Sequence, residues 1–133
     1  MNGLRRAYVF IMFLAMSGYA SAHEWIPTYP KLEMSHIPNV YTTQMRLFNT
    51  RSDVAYYKIQ VFDAEWEKVP FALSTATVAT HTVHVPFQSR KKIDIYIRST
   101  ESSRAVYVCS KSRPLKVAVT KTMLYSRICS KIK

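Results

Sequence analysis

The sequence predicts an all-β chain that folds as one sandwich of about seven short strands, and three observations predict it. Apolar and polar residues alternate with period 2 in several separate stretches, the pattern of strands with one buried and one solvated face. Turn-forming clusters interrupt those stretches roughly every ten residues. Hydrophobic content of 48% and aromatic content of 13% supply a packed core rather than a disordered tail.

Taken in order, residues 1–22 read as a cleavable secretory signal. Arg5 and Arg6 precede the apolar run 7–16, Gly18 breaks any helix, and Ala20-Ser21-Ala22 supplies the small residues of a cleavage site. The run is shorter than the about 20 residues that span a bilayer, so the expected mature chain starts at His23, has no transmembrane segment, and is secreted or periplasmic. Cleavage after residue 22 of 133 leaves residues 23–133, 111 residues, enough for one domain.

Pro27, Pro30 and Pro38 forbid a long regular ladder in the opening stretch, where Trp25 or Tyr29 is the expected anchor. Strands follow where Met45 and Leu47, then Tyr57, Ile59 and Val61, then Ile93, Ile95 and Ile97 alternate with polar neighbours. Further β-branched runs lie at 80–85, 105–109 and 117–120. Turns are expected at 49–53, 63–65, 86–89 and 99–103. Residues 116–125 fit either a strand or a short helix.

Gly3 and Gly18, both in the signal, are the chain's two glycines. Phosphate loops and nucleotide fingerprints that need glycine at positive φ are therefore excluded, and no nucleotide is expected as a ligand. The formal charge is +11, of which the signal arginines contribute two, leaving about +9 on the expected mature domain. Such a domain suits an anionic surface such as lipopolysaccharide, lipid or glycan, or simply a solvated exterior. Cys109 and Cys129 are an even pair in an exported chain, so one disulfide is expected, tying a C-terminal tail to the body.

Two resemblances emerge from these residues. Leu47-Phe48-Asn49-Thr50, Tyr56-Tyr57-Lys58-Ile59-Gln60-Val61, Val69-Pro70-Phe71, and Val85-Pro86-Phe87 leading into Arg90-Lys91-Lys92-Ile93-Asp94-Ile95-Tyr96 make residues 40–110 resemble the N-terminal immunoglobulin-like domain of periplasmic pilus chaperones. That resemblance implies an immunoglobulin-like β-sandwich and an exposed edge strand offered to a protein subunit. In the family a basic residue between two domains holds the subunit's terminal carboxylate; a single domain offers no such cleft, so the role is not carried to Arg90, Lys91 or Lys92. His23-Glu24-Trp25, Tyr56-Tyr57, Val61-Phe62-Asp63 and Ser126-Arg127-Ile128-Cys129-Ser130 also look like small exported proteins of marine tailed phages, a likeness that covers more of the chain and implies no activity.

Among chemical candidates, an N-terminal His23 suits a copper brace completed by His36, His81 or His84, since imidazole binds copper. The plainer reading is that His23 is merely where cleavage falls, and no cofactor is expected. No nucleophile elbow accompanies Ser74, Thr75 or Thr80, and Glu65 and Glu67 flank Trp66 in one turn instead of facing each other across a cleft. The densest basic run is Arg90-Lys91-Lys92. With Arg98, Arg104, Lys111 and Arg113, and with Tyr96 and Tyr107 between them, it is a candidate face for an anionic partner, the site expected on Arg90, Lys91, Lys92 and Arg98. The competing reading is charge that protects an edge strand from aggregation. The functional expectation is an exported, non-catalytic binding, adaptor or virion-associated module with a protein partner; the alternatives are a chaperone-like domain that donates an edge strand and, after it, a copper-binding protein.

Overall fold

A computed structural model describes residues 23–74, 81–114 and 125–133. The signal segment, Thr75 and Thr80, the 117–120 run and nearly all of the 116–125 segment lie outside the described residues. Those described form strands β1 (Glu24–Ile26), β2 (Glu33–Met34), β3 (Val40–Phe48), β4 (Val54–Phe62), β5 (Ala72–Leu73), β6 (Thr82–His84), β7 (Arg90–Arg98), β8 (Tyr107–Pro114) and β9 (Arg127–Lys131), with a one-turn helix α1 (Ser99–Ser102). One sheet runs β1-β3-β7-β5, with β2 also on β3; the other runs β6-β4-β8-β9. Every pairing is antiparallel, and the two sheets make an immunoglobulin-like sandwich.

The period-2 pattern dictates the core. Met45, Leu47, Ile93, Ile95 and Ile97 face inward from the first sheet, and Tyr57, Ile59, Val61, Val83 and Val108 meet them from the second. Each such aliphatic side chain contributes about 1.5–3 kcal/mol by leaving water. Trp25 is the expected anchor: it is buried, and its indole N–H donates to the Val108 carbonyl across the sandwich at 3.1 Å. Tyr29 is 65% exposed and anchors nothing.

Asn49 locks the turns at one end. Its side-chain amide donates to the Val54 and Val85 carbonyls at 2.6 and 2.8 Å, and its carbonyl oxygen accepts from the Arg51 amide and the Tyr57 hydroxyl at 2.9 and 2.6 Å. One fully buried side chain therefore ties the β3–β4 turn to the end of β6.

The absence of glycine does not prevent positive φ. Asn39, Trp66, His81 and Gln88 all adopt it, at 62°, 63°, 48° and 62°. For Trp66 and His81 this is an uncommon conformation, held only where the surroundings over-determine it. At Trp66 the surroundings are the Asp63 carboxylate, which accepts the amides of Glu65 and Glu67 at 2.9 Å each.

Two expectations change. The segment after residue 126 is not a tail but strand β9, because Ile128 and Ser130 alternate inward with Arg127, Cys129 and Lys131. And the strand bearing the basic run is an edge over only part of its length: β7 lies between β3 and β5, but β5 pairs with it only at Ile95 and Tyr96, and among the described residues no strand pairs with Arg90, Lys91 or Lys92 on the side away from β3.

Candidate functional site

β9 is the last strand of its sheet, and its backbone polarity follows from the register. The Ser112 amide donates to the Ser126 carbonyl and the Ile132 amide to the Val106 carbonyl, so residues of even number in β9 turn their backbone groups toward β8. Residues of odd number turn theirs outward. At the far end that outward side is used, since the amides of Lys131 and Lys133 donate to the Thr28 and Pro30 carbonyls at 3.2 and 2.9 Å. The outward groups of Arg127 and Cys129 are hydrogen-bonded to no strand among the described residues, although β1 passes close to β9.

The disulfide sits at this edge. Cys109 of β8 and Cys129 of β9 are directly opposite, with Cα atoms 4.0 Å apart, and their sulfurs are bonded as the cysteine pair predicts. Because the pair is a non-hydrogen-bonded one, its side chains approach closely on the outer face. The bond pins β9 to β8 at the point where its other side is paired with no strand among the described residues.

The outer face of the same sheet is basic and aromatic. Trp66 stacks on Tyr107 with ring centroids 4.1 Å apart and planes 4° apart, and the Arg127 guanidinium lies over Trp66 and Phe62 at 5.5 and 5.6 Å. Beside this stack is a hollow of about 660 Å³ lined by Lys58, Lys68, Lys111, Arg113, His81, Phe71 and Tyr125, among others. His81 stacks on Phe71 at 4.1 Å, and the Lys111 ammonium lies 5.4 Å from the Tyr125 ring centre. Gln60, also in this lining, has its amide oxygen enclosed with no hydrogen-bond partner among the described residues.

The sequence-predicted anionic site is only partly assembled. Arg90, Lys91 and Lys92 line a second hollow of about 400 Å³ with Arg46, which sequence reading missed and which is directly opposite Lys92 on β3. Glu24 also lines it, and the Arg90 guanidinium lies 4.7 Å over the Phe48 ring. Arg98 is at the other end of β7, about 26 Å from Arg90 at the usual strand rise. The expected single face of seven cations does not exist. After β7 the chain crosses through α1 to the other sheet, so Lys111, Arg113 and Tyr107 face away from Lys92 and Tyr96. Arg104 is spent locally, paired with Glu101 at 2.6 Å and Asp63 at 3.6 Å.

His23 is enclosed, with its ring nitrogens 3.1 Å from the Ser126 hydroxyl and 2.6 Å from the Ser110 hydroxyl. Burial pushes the imidazole down to about 4; the Ser110 backbone opposes the fall and the Arg51 charge adds to it. Both nitrogens are thus engaged within the fold. His36 is exposed in the turn before β3, His84 lies against Tyr56 on β6, and His81 is in the hollow. Among the described residues no three of His, Cys, Asp and Glu gather as a metal-holding group. Nor does any helix among them have the length and apolarity to cross a membrane.

No family model and no curated protein matches the chain. Solved structures do. A chain of the Salmonella enterica SafA pilin in complex with the SafB chaperone superposes with a TM-score of 0.61 at 12% identity, covering 84% of this chain and 52% of that one. The PapD-like domain 7 of human CEP192 superposes with a TM-score of 0.49 at 10% identity, covering 83% and 81%. This chain spans about half the length of the Salmonella chain, and the likeness is one of fold, an immunoglobulin-like sandwich.

Proposed function

We propose that this is an exported, non-catalytic binding module that captures an extended segment of a protein partner along β9, in the manner of a chaperone-like domain. One observation carries the reading. The outward backbone groups of Arg127 and Cys129 have no hydrogen-bond partner among the described residues, on a strand that the Cys109–Cys129 bond keeps from peeling away. An open edge is a template for main-chain pairing. The fold shared with a chain of a pilin–chaperone complex supports looking for a protein partner first. Export follows from the signal-like residues 1–22 and accords with the disulfide.

The test is capture of partners from the native envelope or virion fraction by wild type, Arg127→Ala and Arg127→Pro. Proline removes the outward N–H and blocks a docking strand while leaving the bonds to β8 in place. Capture retained by the alanine variant and lost by the proline variant, with the disulfide intact, supports strand addition. Equal capture by all three excludes it. A virion protein as the captured partner selects the virion-associated role. Mass spectrometry of exported protein is expected to show an N-terminus at His23; a start well before it removes the export argument.

A further inference from the structure

Three cations stand abreast on the outer face of the second sheet. Lys58 on β4 is directly opposite Lys111 on β8, which is directly opposite Arg127 on β9. Like charges so placed destabilise a sheet, and among the described residues none of the three is in an ion pair. Lys68 and Arg113 add two more charges at the adjoining hollow. The chain has eight Asp and Glu, and none of them lines that hollow. The ring contacts of Arg127 and Lys111 offset part of that repulsion, and a bound anion would reverse what is left of it. His81, held in the left-handed region at the same place, is a second local cost of the kind that gathers at functional sites.

We propose that the hollow on the outer face of β6-β4-β8-β9 binds an acidic saccharide, a short run of sugar rings bearing sulfate, phosphate or carboxylate. Lysine and arginine heads are donors only, so their ligand must be rich in charged acceptor oxygens. The volume of about 660 Å³ falls in the about 300–1,000 Å³ range of small-ligand sites, which suits a few sugar rings and not a duplex. Phe71 and Tyr125 wall the hollow, but His81 covers one ring and Lys111 the other. Single-stranded nucleic acid wants open aromatic faces on which successive bases stack; a saccharide does not. The site lies on the sheet face and is independent of capture along β9.

The test titrates the exported protein, disulfide intact, with a heparin tetrasaccharide, an oligothymidylate of matched charge, and anionic phospholipid vesicles. Wild type is compared with Lys58→Gln/Lys111→Gln and with Arg46→Gln/Lys92→Gln on the opposite sheet. The tetrasaccharide is expected to bind most tightly, to weaken at least about tenfold in the first variant and to stay within about twofold in the second. The first variant should also melt no lower than wild type, because it removes opposed charges. Equal weakening in both variants, tighter binding of oligonucleotide or vesicles, or no binding of the tetrasaccharide would each overturn the proposal.

Discussion

The Tyr57 hydroxyl donates a 2.6 Å hydrogen bond to the side-chain carbonyl of Asn49, and both residues are fully buried. Burial raises the phenol to about 12, so it remains a donor at every pH the fold meets in practice. Removing the hydroxyl with Tyr57→Phe leaves Asn49 short of one donor and is expected to cost about 1–2 kcal/mol. Asn49→Ala also strands the Val54 and Val85 carbonyls and is expected to cost about 3–5 kcal/mol. Urea unfolding checks the order; a larger loss at Tyr57 than at Asn49 would contradict the account.

His23 makes stability depend on pH. The unfolded chain takes up a proton near the ordinary value of 6.5 and the folded chain only near 4, so acidification through that window favours unfolding. The His23 contribution is present in full above about pH 7 and declines as pH falls from 6.5 to 4. His23→Gln should flatten this part of the profile, measured as urea midpoints between pH 7.5 and 4.5. An unchanged slope would exclude His23 as its source.

The disulfide should govern one strand before it governs the domain. It closes a separation of 20 residues, worth about 3 kcal/mol in the chain-entropy description. In Cys109→Ala/Cys129→Ala, the Ile128 and Ser130 amides, which face β8, are expected to exchange with solvent well before those of β3 and β7. Uniform acceleration across both sheets would show that the bond supports the fold as a whole.

Trp66 reports on the aromatic face. Asn tolerates positive φ, so Trp66→Asn keeps the turn while deleting the stack on Tyr107 and the Arg127 contact. The expected cost is about 1–2 kcal/mol. Trp66 and Trp25 are the chain's two tryptophans, so the emission that remains in this variant should be the blue-shifted signal of buried Trp25. Red-shifted residual emission would mean that Trp25 is not enclosed.

Much of the architecture was legible in the chain because period-2 alternation is local. The faces of β3, β4 and β7 follow from Met45 and Leu47, from Tyr57, Ile59 and Val61, and from Ile93, Ile95 and Ile97, and the cysteine pair predicted its own bond. β9 was harder to read. Arg127, Cys129 and Lys131 carry its outer face, and only Ile128 and Ser130 within it mark the inner one, too short a pattern to identify without β8 beside it.

The candidate sites were less legible, since they depend on which strands become neighbours. Lys58, Lys111 and Arg127 are far apart in sequence and abreast in the sheet, whereas Arg90 and Arg98 are close in sequence and separated by the length of a strand. The pairing of His23 with Ser110, 87 residues away, has no local signature either. Alternation along one strand sets which side chains share a face, and so composition, strand faces and the disulfide could be read from the sequence by itself. Register between strands, and the crossover that carries the chain from β7 to β8, set which charges meet; that was decided by the tertiary structure alone, because it arises from the burial of two apolar faces against each other and not from any one segment.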